Sequence, residues 1–288
     1  KTFFSNQQKN DADAFEKGRI LPRLDPLRQT TTKSVYTKHR EEFLKEWYGT
    51  LELLRNIASR VSSDEFRPTW VEPGTPRGAQ ADQFLHAYYY EFVKDGIKSI
   101  HRKLHQENEN RKEAALIAAL RWWKSQPEAP HNEDSNLSRA KIILDKIGGQ
   151  NNRPLPEADF ILVAENIHAL LDHSLRVRNR TLGLPEGTYT AQAERIVMLA
   201  KWIYGQKNDS GKTISDLINY VLRGGAVDRT PERIFDATHD EAWTIPHFGI
   251  SSVGEMVGWA MPNDFPPRNG RTSKALYALG HQVKIYSE

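Results

Sequence analysis

The 288-residue chain contains no cysteine. That absence excludes disulfides, thiolate nucleophiles, zinc fingers and cysteine-held iron–sulfur clusters. Methionine is scarce as well, with 3 residues. No apolar run approaches the length that spans a bilayer and no secretory signal pattern opens the chain, so the expectation is a cytoplasmic protein with no membrane partner. No stretch alternates with the period of a strand, and no internal repeat is visible. Neither sign of charge dominates: 40 Lys and Arg face 37 Asp and Glu, a net charge of +3, so bulk charge does not announce a nucleic-acid partner. His168 and His173 lack the i, i+4 spacing of a helical metal pair, although Asp172 stands beside them, and neither a metal nor a cofactor is expected.

What is present suits a folded, polar protein of one large domain or two modest ones. Hydrophobic residues make up 38% of the chain and aromatics 10%, with a mean hydropathy of −0.66. Residues 1–34 read as a polar arm punctuated by Pro22 and Pro26. Apolar residues then recur at helical spacing from Val35 to Val61, with Ser34 as the expected N-cap. The Pro/Gly-rich stretch 67–78 reads as a loop, and 79–106 as one long helix that Gly96 weakens or kinks. Further helices are expected over 111–124, 138–147, 156–178, 190–204 and 213–222, with another opened by Pro231. The expected fold is all-α, with an N-terminal helical lobe over 35–150 and a C-terminal lobe over 151–288. Gly211-Lys212-Thr213 looks like the end of a phosphate-binding loop, but it lacks the motif's first glycine and a preceding strand.

Residues 245–280 carry most of the functional signal. A tight hairpin closed by Gly249 leads into an apolar helix that stops at Pro262. After a Pro-rich loop, a second helix opens at Asn269 with Arg271 and Lys274 in its first turns. Backbone N–H groups on a turn, followed by a helix N-terminus ringed by cations, form a device for holding phosphate. The aromatic clusters Tyr88-Tyr89-Tyr90, Trp122-Trp123, Trp243 and Trp259 read mainly as core, although three consecutive tyrosines on a helix face three directions, so at least one ring is expected to be exposed or to line a cleft.

This C-terminal quarter, about 240–280 with its approach from Arg229, resembles the core of the helix-hairpin-helix DNA glycosylases. Ile245, Pro246, Phe248 and Gly249 follow the hairpin pattern, and Asn269 falls where the family has its catalytic Asp. Three positions depart from that pattern. His247 replaces the first hairpin glycine, Ser251 stands where lyase-type members carry a Schiff-base lysine, and Asn269 replaces the carboxylate. The resemblance implies two lobes with a cleft between them, duplex DNA as partner, a monomeric state and a base-flipping, monofunctional N-glycosylase that leaves an abasic site. It also extends to antiphage enzymes acting on hypermodified cytosine, which makes glucosylated hydroxymethylcytosine a candidate base. The alternative is a non-catalytic helix-hairpin-helix recognition module of a restriction or defence system.

The chemistry sets the candidate residues. As the base leaves, positive charge develops on the sugar, so an anion or a positioned water is needed near C1′. Asn269 is the first catalytic candidate by position, with Asp264, Glu255 and Asp240 as nearby carboxylates that could do the work instead. Phosphate gripping is assigned to His247, Gly249, Ile250 and Ser251 on the hairpin and to Arg268, Arg271 and Lys274 beyond it. A second basic stretch, Arg176, Arg178 and Arg180, has no acid among its immediate neighbours.

Overall fold

The computed structural model describes the backbone of residues 21–149 and 154–286, and the side chains within them except those of residues 21–34 and 132–136. The chain forms two compact units, residues 1–45 and 46–288. The fold is all-α, as the periodicity implies, with one two-stranded exception. The helices are α1 (Leu21–Val61), α2 (Arg77–Tyr88), α3 (His101–Asn108), α4 (Lys112–Lys124), α5 (Glu133–Ile147) and α6 (Glu157–Asn166). They continue as α7 (His168–Ser174), α8 (Gln192–Tyr204), α9 (Ile214–Arg223), α10 (Thr230–His239), α11 (Ile250–Ala260) and α12 (Gly270–Ala278).

Three local expectations are corrected. Helix α1 begins at Leu21 rather than at Ser34, with Pro22 in its first turn, where a missing N–H costs no intrahelical bond. The expected long helix over 79–106 is four elements. After α2 a π-helical turn (Tyr89–Val93) leads into the antiparallel pair β1 (Lys94–Asp95) and β2 (Lys98–Ser99), followed by α3. Gly96 drives the break: its φ of +56° suits a two-residue hairpin turn and not a helix. The stretch 156–178 is likewise two helices, parted at Ile167, whose extended ψ of 108° interrupts the helix and whose side chain is fully buried.

Among the described residues no helix is long and apolar enough to cross a membrane. In the larger unit, one core joins Leu54, Ile57 and Val61 of α1 to Phe84 and Leu85 of α2, Leu120 and Trp123 of α4, and Leu276 and Leu279 in and just after α12. Helix α12 packs on α2, the π-helical turn and α3, while α11 packs on α5, α7 and α10. The segment between α11 and α12 is what positions the site. Pro267 runs so close across α11 that a Cβ at Gly258 would sit 2.2 Å from the Pro267 Cα, and one at Gly254 would sit 2.7 Å from the Arg268 carbonyl oxygen. These two glycines, i and i+4 on one helix face, let the loop lie on α11 and deliver Asn269 beside Glu255.

Candidate functional site

The hairpin before α11 is a type II turn. The Phe248 N–H donates to the Ile245 carbonyl at 3.2 Å, Pro246 takes the second position and His247 the third, with φ of +65°. That third position demands the left-handed region, which glycine occupies at least cost. Here a histidine fills it, and its Nδ1 lies 3.0 Å from Nε2 of His173 on α7. Burial pushes both imidazoles down, His173 to about 4 with the nearby His247 and Arg176 adding to the effect. Ile245 and Phe248 are buried and anchor the turn, while Gly249 and Ile250 border a cavity of about 300 Å³ that also takes in His173 and Thr238. Gly249 is the N-cap of α11 and brings no side-chain acceptor to it.

Asn269 caps α12 as its sequence position implies. Its Oδ1 accepts from the N–H groups of Arg271 (2.9 Å) and Thr272 (3.1 Å), and its own N–H donates to the Thr272 hydroxyl at 2.9 Å. This is a complete capping box, so both lone pairs of the amide oxygen serve the helix. The amide nitrogen instead faces the Glu255 carboxylate at 3.4 Å.

Glu255 is fully buried on α11. Its Oε1 accepts from the backbone N–H of His168 (2.8 Å) and from His168 Nδ1 (3.1 Å), and its Oε2 from the Ala169 N–H (3.0 Å). Burial alone would raise this carboxyl, but the donors from His168 and Ala169 outweigh it and bring it to about 2. The arrangement gives a reason for asparagine at 269. A carboxylate there would lie about 3.4 Å from a second carboxylate, a contact that only protonation could relieve.

Two adjoining cavities open beside this cluster, sharing His168, Asp172 and Arg271 in their walls. The first, about 260 Å³, brings together Ser251, Asn269, Arg271 and Lys274, four of the residues expected from sequence. It adds Tyr89, Asp172 and Arg176. The second, about 530 Å³, is walled by His86, Tyr90, Arg139, Glu165 and Gln192. Arg271 donates to Asp172 at 2.6 Å and lies over the Tyr90 ring, while Lys274 lies over Tyr89. Desolvation lowers Lys274, and Arg271 beside it adds to that. Arg271 also donates to His86 Nε2 at 3.2 Å, and burial together with that guanidinium pushes His86 down to about 3. Asp172, half-exposed, is the carboxylate that lines both cavities.

The other expected residues lie elsewhere. Arg268, expected to face DNA, is turned inward. It donates to Glu46 at 2.6 Å and lies against the rings of Trp47 (4.3 Å) and Tyr286 (5.3 Å). It is 5% exposed, because the loop that carries it is pressed onto α11. Asp264 is exposed on the far part of that loop, where its carbonyl takes two N–H groups of Arg55. Asp240 caps the turn after α10, accepting from the Ala242 N–H at 2.9 Å. Neither borders the two cavities. Lys212 lies over the Trp243 ring and Thr213 caps α9, which gives the Gly-Lys-Thr stretch a local structural role. Trp259 and Trp123 are core, whereas the three tyrosines do face three ways: Tyr89 and Tyr90 line the first and second cavities, and Tyr88 lines another near Trp122.

His168, Asp172, Arg139 and His86 were not expected at the site. Their sequence signal is slight, since they come from α7, α5 and α2 and meet only in space. Among the described residues no cluster of three or more His, Asp or Glu side chains has the geometry to hold a metal ion. Comparison with family models, with characterised proteins and with solved structures finds no match, so the site must be read from its own geometry.

Proposed function

We propose that this protein grips duplex DNA through the 245–251 hairpin and the start of α12, turns one modified nucleotide out of the stack, and hydrolyses its N-glycosidic bond to leave an abasic site. The observation that carries this reading is the first cavity, where Ser251, Asn269, Arg271 and Lys274 converge with Arg176 and the half-exposed carboxylate of Asp172. Three cations around one carboxylate favour phosphate at its rim. Tyr89 and Tyr90 offer faces on which an extruded base can stack. The second cavity, about 530 Å³ and walled by polar side chains, leaves room for a bulky polar substituent such as the glucosyl group of glucosylated hydroxymethylcytosine. In this reading Asp172, and not Asn269, supplies the negative charge that offsets the developing positive sugar. Ser251 offers no amine, so no Schiff-base step follows. The left-handed turn residue at 247 supports a phosphate-binding hairpin, because the family's glycine position makes the same demand on the backbone.

The second reading, a recognition module without chemistry, is favoured by one observation: Glu255 is sealed from the cavities and the Asn269 oxygen is spent on its helix. Incubation with ordinary and glucosylated phage DNA, followed by alkali, separates the two. A glycosylase leaves alkali-labile breaks in the modified DNA, and Asp172→Asn removes the breaks while retaining affinity. Tight binding without breaks in either DNA rejects catalysis, and absence of binding rejects both readings.

A further inference from the structure

The Glu255–His168 pair does more than end a helix. His168 presents its Nδ1 to the buried Glu255 carboxylate and its Nε2 to Arg139 NH1 at 3.0 Å. A guanidinium has no lone pair to give, so Nε2 is the acceptor, and the ring proton sits on Nδ1 facing Glu255. The result is a carboxylate behind an imidazole whose ring borders both cavities and whose lone pair meets Arg139 in the wall of the second. The histidine side chain is 14% exposed and the glutamate 0%, so the carboxylate is dry and meets the cavities through the His168 ring and the Asn269 amide. A cap on α7 needs only the two backbone N–H groups. The third bond, to the ring, fixes the tautomer and orientation, as a base requires.

We infer that Glu255 and His168 form a base dyad whose Nε2 accepts the proton of the attacking water, a role that rests on the glycosylase reading above. The C1′–N bond breaks with its electron pair leaving on the base, the water oxygen bonds to C1′, and one water proton passes to Nε2. The imidazolium then returns that proton to the departing base nitrogen. Arg139 holds the lone pair until substrate draws its guanidinium away. The charged and titratable groups around the ring are Glu255 on α11, Arg139 on α5, His86 on α2 with its ring 5.5 Å away, Arg271 on α12 and Asp172 on the same helix. His168 is the catalytic residue of the pair and Glu255 the positioning residue.

Two measurements on the 288-residue chain test this. In single-turnover cleavage of glucosylated DNA, His168→Asn keeps a donor toward Glu255 but removes the base. It is expected to bind DNA as the wild type does and to form abasic sites about 100-fold more slowly. His168→Gly is expected to regain rate with added imidazole and not with an alkylammonium salt, a rescue that a purely structural histidine would not show. Wild-type turnover by His168→Asn overturns the proposal. The second measurement needs no DNA and uses the Arg139→Met background, in which nothing from position 139 holds Nε2: modification of His168 by diethyl pyrocarbonate, followed by peptide mass spectrometry. The expected result is a rate about tenfold above that of Glu255→Gln, and above that of half-buried His39. If no DNA is cleaved by the wild type, the glycosylase reading fails, and this second measurement alone decides the dyad. Slow modification that Glu255→Gln leaves unchanged overturns it.

Discussion

Glutamine in place of Glu255 is the sharpest probe of how the site is held together. The carboxylate is fully buried and held at about 2 against a usual 4.5, so it stays charged in the folded state over nearly the whole accessible pH range. A depressed carboxyl contributes stability that is fully present above its unfolded value and disappears as pH falls through its folded one. That depression corresponds to roughly 3 kcal/mol at pH 7 and to about half of that at pH 3. The group has no exposed surface, so solvent does not screen it. Glutamine keeps one acceptor oxygen but turns its NH2 toward the Ala169 N–H and the Asn269 amide, setting donor against donor. Urea unfolding at pH 7 should therefore show Glu255→Gln to be less stable by about 3 kcal/mol, with the gap narrowing to roughly half at pH 3. Two results would refute the reasoning: equal midpoints at pH 7, or a gap that stays constant as the pH is lowered.

Other consequences follow from the same contacts. Asn269→Asp should place a second carboxylate beside Glu255 and destabilise the protein, because two carboxylates about 3.4 Å apart raise one of the pair. A raised carboxyl costs stability as pH climbs, so the deficit should be largest at neutral pH and shrink toward pH 4 in matched urea titrations. Gly258→Ala drives a methyl group into Pro267 at 2.2 Å and should cost about 3 kcal/mol, seen as a lowered melting temperature. His247→Val forces a β-branched residue into the left-handed region at a cost of about 2 kcal/mol, whereas His247→Asn should keep the turn. Lys274→Met should reduce the slope of log affinity against log salt by about 1 without altering sequence preference, as filter binding over a salt series would reveal.

What could be seen in the sequence is what neighbouring residues decide among themselves. Asn269 announces a helix start because its side chain reaches N–H groups two and three positions on, and Thr213 does the same through Asp216. Pro262 ends α11, and Pro246 before a left-handed residue makes the hairpin. The misreadings share one cause. Over 79–106 the apolar spacing is helical throughout, but Gly96 and the tyrosine run divide it, and periodicity carries no record of a turn that short. Arg268 looked like a DNA contact because it stands among basic residues, yet its partner Glu46 is 222 positions away.

The same distance effect governs the site. Arg271 is found from its helix start, but Asp172, which it pairs with, lies 99 positions earlier, and the donors to Glu255 lie 86 and 87 positions earlier. Position 269 read alone therefore shows an amide and no carboxylate. In the folded chain the position beside Asn269 holds one after all, contributed by α11 and locked by α7, and this explains both why an amide is tolerated at 269 and why an acid there would be a poor neighbour. Replacing both residues separates these causes. If the amide is there because Glu255 is charged, Asn269→Asp combined with Glu255→Gln should be more stable than Asn269→Asp alone at neutral pH, even though each change alone destabilises. Additive losses in that double-mutant cycle would mean that the two side chains do not sense each other, and the explanation for asparagine at 269 would be wrong.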